Sequence, residues 1–557
     1  MTDSSSTKLL VLVALAVLVI NVFAVITWDV SHIANDGIQY LSTARNWLAG
    51  NGFSTNALIY APHFQGEFPA VQTVWPPGYP LVIALFSKLG MDLHQSALAV
   101  NLLMHAMASL VILLILRRLE VTSTFAILSA FAFYLMSIPW AYASALLTEP
   151  LFTTLLLAAL LFLPDIKRSN LAVWVLCGVV IAAGIYVRYS TVFLALGTGI
   201  GIFICLIAHQ RKPMAGFVKS NFKLALLIAI PAIAFLHLMF RTYTFIGTLY
   251  RYSGSKTPES LASTVYLWFA KASELLGFTS SSLLPGSVSK ITFVVLVAIA
   301  VITTAVFLFQ KRASNSEKAR LYFQTLSLVA CAHAIALILY LTVNSMSSTP
   351  LEILPRYVYQ IYPGLFAVFC YMLFHVIQNF RAKTGSVGIF ASGIMVAMLA
   401  IYFIAQINSQ ITLRPRYFSE AMGAQAMLNL PVTADKNLTD YTISCFSNSY
   451  SEGDAIWSTH GQVISLHTDI PTVTHANIYT DRPFDGNQLT QQIEDYKLQM
   501  FFFINFPGRN NDVYAEYMQN MKEWLEEKGL AKVAMQDNQF ANGRTVDVYT
   551  TTPDCGL

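Results

Sequence analysis

Charge is scarce in this chain: Asp, Glu, Lys and Arg make up 11% of its 557 residues, against about 25% in a soluble domain. With 55% hydrophobic residues beside it, that scarcity excludes both a soluble enzyme and a disordered chain. Neither sign dominates. Thirty-four basic residues face 30 acidic ones, net +4, and no basic face stands out, which excludes a nucleic-acid binder. Cysteine is sparse as well. The six cysteines (177, 205, 331, 370, 445, 555) form no metal-ligand spacing and no disulfide framework, although Cys445 and Cys555 could pair in an oxidising compartment. A glycine-rich phosphate loop, a Walker motif and a GxSxG elbow are missing, so nothing points to a nucleotide site. There is no internal repeat and no low-complexity tract.

What the chain has instead is long apolar runs. A span needs about 20 mostly apolar residues. Runs of that kind sit near 9–27, 95–116, 123–141, 150–164, 171–187, 191–208, 223–240, 291–309, 322–343, 357–379 and 387–407. They predict a polytopic α-helical membrane protein with about eleven transmembrane helices. The first run has one flanking Lys8 and a poor cleavage signal, so it reads as a retained signal-anchor. Alternate connections carry Lys8, Arg117/Arg118, Lys167/Arg168, Arg211/Lys212/Lys219/Lys223, Lys311/Arg312/Lys318/Arg320 and Arg381/Lys383. By the positive-inside rule the N-terminus is cytoplasmic and residues after about 408 lie outside. The expected location is the inner (plasma) membrane.

Two segments on the outer side are longer than connectors need to be, 28–80 and 242–290, and both are rich in aromatics. Loops of such length are commonly functional. From about 415 the composition becomes that of a soluble domain. Helix-like stretches near 418–429, 487–497 and 511–528 alternate with strand-like runs at 454–458, 462–466, 499–505, 531–536 and 545–550. Met500-Phe501-Phe502-Phe503-Ile504 reads as a central strand apolar on both faces. The expected division is therefore a membrane domain over 1–410 and an extracytoplasmic α/β domain over 411–557.

Polar groups beside a span are costly and hence informative. In Asn35-Asp36-Gly37-Ile38-Gln39-Tyr40-Leu41 and on to Leu48, the apolar positions recur at helical spacing, with a stop at Gly50. Asp36 suits a helix N-cap, and equally a carboxylate able to take a proton from an acceptor hydroxyl. Trp75-Pro76-Pro77-Gly78-Tyr79-Pro80 reads as a rigid, non-helical turn back into the membrane. Glu149, in Thr148-Glu149-Pro150, favours a helix N-terminus or serves as a second site carboxylate. Arg188 and Arg356 lie at outer span ends, where they either snorkel to headgroups or clamp a lipid phosphate. Arg241 and Arg251 are weaker candidates of the same kind. His105, His237, His333 and His375 lack paired spacing and read as structural. In the exterior domain His460, His467 and His475 are too loosely spaced for a ligand set.

Taken in order, Asn35-Asp36-Gly37-x-x-Tyr40, Gly50-Asn51-Gly52-Phe53, Pro76-Pro77-Gly78-Tyr79-Pro80, Thr148-Glu149-Pro150-Leu151-Phe152, Val187-Arg188-Tyr189 and Pro355-Arg356-Tyr357 resemble the bacterial branch of the GT-C glycosyltransferase superfamily. That branch includes protein O-mannosyltransferases and the aminoarabinose transferase of lipid A. The resemblance covers residues 9–407 and extends to the exterior domain, which has counterparts in several members. It implies a sugar donor linked to polyprenyl phosphate, met at the outer face, with Asp36 as base. Arg188, Arg356 and Tyr357 would hold the donor phosphate, and Glu149 would orient the acceptor or an arginine. Protein mannosyltransferases usually carry Asp-Glu where this chain has Asp36-Gly37. A divalent metal is left open, because relatives differ in using one. The implied acceptor is an envelope lipid, glycan or protein hydroxyl. Rival readings are a lipid-linked-sugar flippase or transporter, a polysaccharide polymerase or ligase using a diphosphate-linked donor, and a non-catalytic envelope protein. Polar residues gathered at span ends rather than mid-membrane favour the interfacial enzyme over a transporter.

Overall fold

Apolar stretches too long to hide in a small core form helices here because only a helix satisfies its own backbone in lipid. The structure, a computed structural model, describes residues 4–27, 33, 35–59, 68–165, 170–209, 222–246, 316–345, 355–384, 454–458, 471–474, 486–496, 498–505, 512–533 and 545–550. Among these, α1 (Ser4–Thr27), α2 (Asn35–Leu48), α3 (Gly78–Ser87), α4 (Leu93–Arg118), α5 (Ser123–Tyr134) and α6 (Ser137–Ser144) come first. They are followed by α7 (Glu149–Leu161), α8 (Leu171–Val187), α9 (Thr191–His209), α10 (Phe222–Ile246), α11 (Glu317–Ser345), α12 (Pro355–Tyr359) and α13 (Tyr362–Thr384). Five of them, α1, α4, α9, α10 and α11, are long and apolar enough to cross a membrane. The expected spans at 291–309 and 387–407 lie outside the described residues, as do Arg251, Cys445 and Cys555.

Three expectations need correction. The run at 123–141 is two helices, because Met136 is extended (ψ 137°) and Pro139 would clash with the carbonyl four residues back in a continuous helix. The run at 357–379 likewise begins with the separate turn α12, and α13 starts only at Tyr362. The Pro76–Pro80 motif turns helical inside itself: α3 begins at Gly78 with Pro77 as its N-cap. Pro80 is tolerated because first-turn N–H groups have no intrahelical partner.

Helix packing is closest where side chains vanish. A Cβ on Gly201 would lie 2.7 Å from Val329 N and one on Gly197 2.5 Å from His333 N, so α9 meets the α11 backbone directly, as small-residue interfaces in membranes do. α1 is exposed along most of its length, and it is tied to the bundle where Tyr134 Oη donates to Asn21 Oδ1 at 2.8 Å.

The C-terminal residues build a six-stranded sheet with α14 (Gly486–Tyr496) and α15 (Asp512–Glu527) packed on it. Its strands are β4 (Ala455–Ser458), β5 (Thr472–Thr474), β6 (Leu498–Asn505), β7 (Ala531–Val533) and β8 (Thr545–Thr550). Met500, Phe501 and Phe503 are fully buried, as expected of a central strand. The helix-like run at 418–429 and the strand-like run at 462–466 lie outside the described residues. The sixth strand comes from elsewhere. β2 (Ala57–Ile59), in the loop after α2, pairs in parallel with β5, giving the order β2-β5-β4-β6-β8-β7. A division at 410–411 thus leaves one strand of the C-terminal sheet on the N-terminal side. In the same loop β1 (Ser54–Thr55) pairs antiparallel with β3 (Ala70–Val71).

Candidate active site

The short helix α2 places the first group. It ends where the pattern demands, at Gly50 with φ +89°, a conformation that favours glycine. Residues 36–44 are all buried, an unusual depth for a helix with this many polar side chains. The N-cap reading sets Asp36 ahead of the helix, yet the helix starts at Asn35 and the Asp36 carboxylate accepts from Arg356 Nη1. Gly37 allows α2 to sit directly on the α6–α7 connection, since a Cβ there would lie 2.9 Å from Ala145 O. A side chain at this position would press on that carbonyl, so α2 or the connection would have to shift.

The second carboxylate arrives on α7. Thr148 precedes the helix without a side-chain capping bond, Pro150 fills its first turn, and Glu149 is completely buried. Glu149 Oε1 lies 2.6 Å from Arg188 Nη1, which also donates to Thr148 Oγ1 at 3.0 Å. Arg188 ends α8 in extended backbone (φ −154°), which aims its side chain back across the start of α7. Arg356 comes from α12. Between the two arginines stands Tyr357, its ring 5.5 Å from Arg356 Cζ and 5.8 Å from Arg188 Cζ, within cation–π range.

All five expected residues, Asp36, Glu149, Arg188, Arg356 and Tyr357, therefore come to one place from four segments. Two carboxylates and two guanidiniums cancel, which is what lets four ionised groups be buried together. Burial alone would lower the Arg356 pKa, but Asp36, Tyr357 and Glu149 hold it well above the ordinary arginine value. Among the described residues, two buried polar atoms of this group have no partner: Glu149 Oε2 and Arg356 Nε. Each leaves on the order of 1–3 kcal/mol unrecovered, a cost that a bound ligand could remove.

Tyr40 was visible in the motif but not as a site residue. It is buried one turn beyond Asp36 and feels the charge of all four ionised groups. Burial first, then Asp36 and Glu149, push its phenol well up, while both arginines pull the other way. Its ring meets Tyr79 and Trp75 edge-on at 5.1 and 6.0 Å. Tyr79 Oη in turn donates to Asn101 Oδ1 at 2.9 Å, and Asn101 Nδ2 to the carbonyls of Ala143 and Leu147. The signal that finds Tyr40 is its i+4 spacing from Asp36.

The weaker candidates go elsewhere. Arg241 donates to the carbonyls of Gln72 (2.8 Å) and Phe53 (3.4 Å), so it clamps the first loop. His105 bonds the Tyr134 carbonyl and His237 the Tyr186 hydroxyl. Among the described residues no three His, Cys, Asp or Glu side chains gather as a metal set.

Comparison with known proteins agrees with this architecture. Residues 74–239 match the family described as dolichyl-phosphate-mannose-protein mannosyltransferase. No curated protein sequence matches the chain. The structure is similar to apo ArnT from Cupriavidus metallidurans, with TM-score 0.55 and 13% identity over 99% of both chains. ArnT bound to undecaprenyl phosphate gives TM-score 0.54 at 12% identity, again over 99% of each chain. The oligosaccharyltransferase AglB from Archaeoglobus fulgidus, in complex with an inhibitory peptide and a dolichol-phosphate, gives 0.51 at 12% identity, covering 99% of this chain and 74% of that one. The fold is thus that of the GT-C membrane glycosyltransferases. The family match and the fold together indicate an integral-membrane glycosyltransferase.

Proposed function

We propose that the protein transfers a sugar from a polyprenyl-phosphate donor to a hydroxyl of an envelope lipid, glycan or protein, at the outer face of the plasma membrane and with inversion. The observation that carries this reading is the pair of buried carboxylate–arginine contacts, Asp36–Arg356 and Glu149–Arg188, joined at Tyr357. In this reading the N-terminus is cytoplasmic, as the basic connections imply, and the C-terminal domain is extracytoplasmic.

The chemistry follows from the charges. The acceptor oxygen attacks the anomeric carbon, its proton passes to Asp36, and the bond to the phosphate oxygen breaks with its electron pair leaving on the lipid phosphate. Arg188 and Arg356 stabilise the second negative charge that develops there, in a site poor in water where fixed charges act most strongly. At rest Arg356 is occupied by Asp36. A donor phosphate competes for that guanidinium, first through the open Nε–H, and so frees the carboxylate as the sugar arrives. Glu149 Oε2 is placed to accept from a sugar or acceptor hydroxyl.

The test uses the purified chain in liposomes with hexoses on polyprenyl phosphate or on polyprenyl diphosphate. Transfer from the monophosphate donor, with the product anomer inverted, supports the reading. Transfer from the diphosphate donor alone overturns it in favour of a polymerase or ligase, and movement of intact donor across the bilayer without transfer overturns it in favour of a flippase.

A further inference from the structure

The loop after α2 is bound on both sides. Towards the helix, Gln39 Nε2 donates to the Ala57 carbonyl, and Gln39 Oε1 accepts from Gln72 Nε2 at 2.9 Å. One turn on, Ser42 Oγ accepts from Asn56 N–H (2.9 Å) and from Thr55 Oγ1 (3.1 Å). A further turn on, Asn46 Nδ2 donates to the Ser54 carbonyl at 3.2 Å. Residues 36, 39, 42/43 and 46 share one helical face, so Asp36 begins the same stripe that this loop grips. Away from the helix, the loop is an edge strand of the C-terminal sheet: Thr472 N–H donates to Asn56 O at 2.8 Å, and Ala57, Leu58 and Ile59 lie opposite Thr472, Val473 and Thr474. Gln39 is buried, as are Ala57 and Thr472, so water does not replace these bonds readily.

We infer that Gln39 is a positioning residue through which the C-terminal sheet holds the helix that carries Asp36. The C-terminal domain is then a working part of the transfer site, not a tethered accessory. The inference rests on the reading of Asp36 given above, but the mechanical coupling it describes does not depend on any reaction. One continuous set of hydrogen bonds runs Thr472–Asn56/Ala57–Gln39–α2, and loosening either end lets Asp36 swing relative to Arg188 and Glu149, which sit on other helices. A displacement of about 1 Å at a reacting group costs on the order of 100-fold in rate. Donor affinity should change much less than the rate and not weaken, because the arginines on α8 and α12 stay on their own helices and a loosened Asp36 competes less for Arg356.

The experiment uses the full chain in nanodiscs and two variants that alter opposite ends of the chain of bonds. Gln39→Leu removes the side-chain bonds. Thr472→Pro removes the N–H that reaches Asn56, whereas the carbonyl of the preceding Pro471, which accepts from Ile456, keeps β5 joined to β4. Hydrogen exchange of amides 36–48 is followed beside transfer kinetics. For both variants the account expects exchange in 36–48 to rise about tenfold or more. It also expects kcat to fall by at least tenfold, with the donor KM changed less than about threefold. Wild-type exchange in 36–48 for either variant overturns the coupling. A raised KM with unchanged kcat overturns the positioning role. If Thr472→Pro also opens β6, Gln39→Leu decides alone, since it removes no backbone donor. If the wild type transfers nothing from the donors offered, the proposed reaction fails while the exchange result still decides the coupling.

Discussion

Asp36 and Arg356 form a pair that separates a catalytic role from a structural one. Both side chains are nearly buried, at 6% and 9% exposure. Replacing Asp36 with Asn leaves a guanidinium that cannot shed its charge, and breaking a buried pair in this way costs about 3–5 kcal/mol. The unfolding entropy of about 2.1 cal/mol/K per residue, scaled to 557 residues, gives just under about 1 °C per kcal/mol, so the thermal midpoint in detergent should fall by roughly 3–4 °C. Arg356→Met should cost less, because the Asp36 carboxyl left behind can take up a proton. The double variant Asp36→Asn/Arg356→Met removes both charges and should recover most of the lost stability, since apolar or neutral replacements of whole buried pairs are commonly tolerated. Transfer should not recover. A lost general base costs about 10²–10⁴-fold, and the double variant also lacks a phosphate ligand. Thermal melts and transfer rates on the same four preparations give the cycle directly. A double variant that regains transfer along with stability would refute the assignment and make Asp36 merely the counter-ion of Arg356.

Other outcomes follow from the same geometry. Arg188→Lys keeps the charge but gives up the planar, bidentate donors that suit a phosphate, so the donor KM should rise about tenfold, corresponding to roughly 1.4 kcal/mol, in initial-rate assays. Gly37→Ala forces a methyl to 2.9 Å from Ala145 O and Gly201→Ala one to 2.7 Å from Val329 N. Each should lower stability by about 1–3 kcal/mol in melts, and only Gly37→Ala should also lower kcat in the folded fraction. Tyr40 keeps its proton in the fold to higher pH than the usual phenol. An unfolded tyrosine loses its proton near 10, so stability should fall as pH passes about 10. The melting curves of Tyr40→Phe between pH 9 and 11 should lack that part of the fall.

Much of this arrangement is written locally, and local features are the ones a sequence displays. The helix from Asn35 with its stop at Gly50, the first-turn Pro150 beside Glu149 and the doubly apolar run at 500–504 each depend on neighbours within a few positions. The gathering of Asp36, Glu149, Arg188 and Arg356 was legible for a different reason: charged groups beside apolar spans are rare enough that each one marks a place. Which arginine serves which carboxylate was not legible, since Asp36 and Arg356 are 320 residues apart and only packing decides it. β2 escaped because three residues, Ala57-Leu58-Ile59, carry too little pattern to stand out, and their partner Thr472-Val473-Thr474 is equally short. Tyr40 and Gln39 were hidden by their own ordinariness. Their importance comes from depth of burial, which a sequence with so many aromatic and polar residues near the membrane surface does not announce.

The central claim is best met by transfer in membranes supplied with labelled polyprenyl-phosphate hexoses, with wild type beside Asp36→Asn at equal amounts of folded protein. The account predicts labelled product from the wild type and at least about 100-fold less from the variant. Equal transfer by both would contradict it and pass the role of base to Glu149.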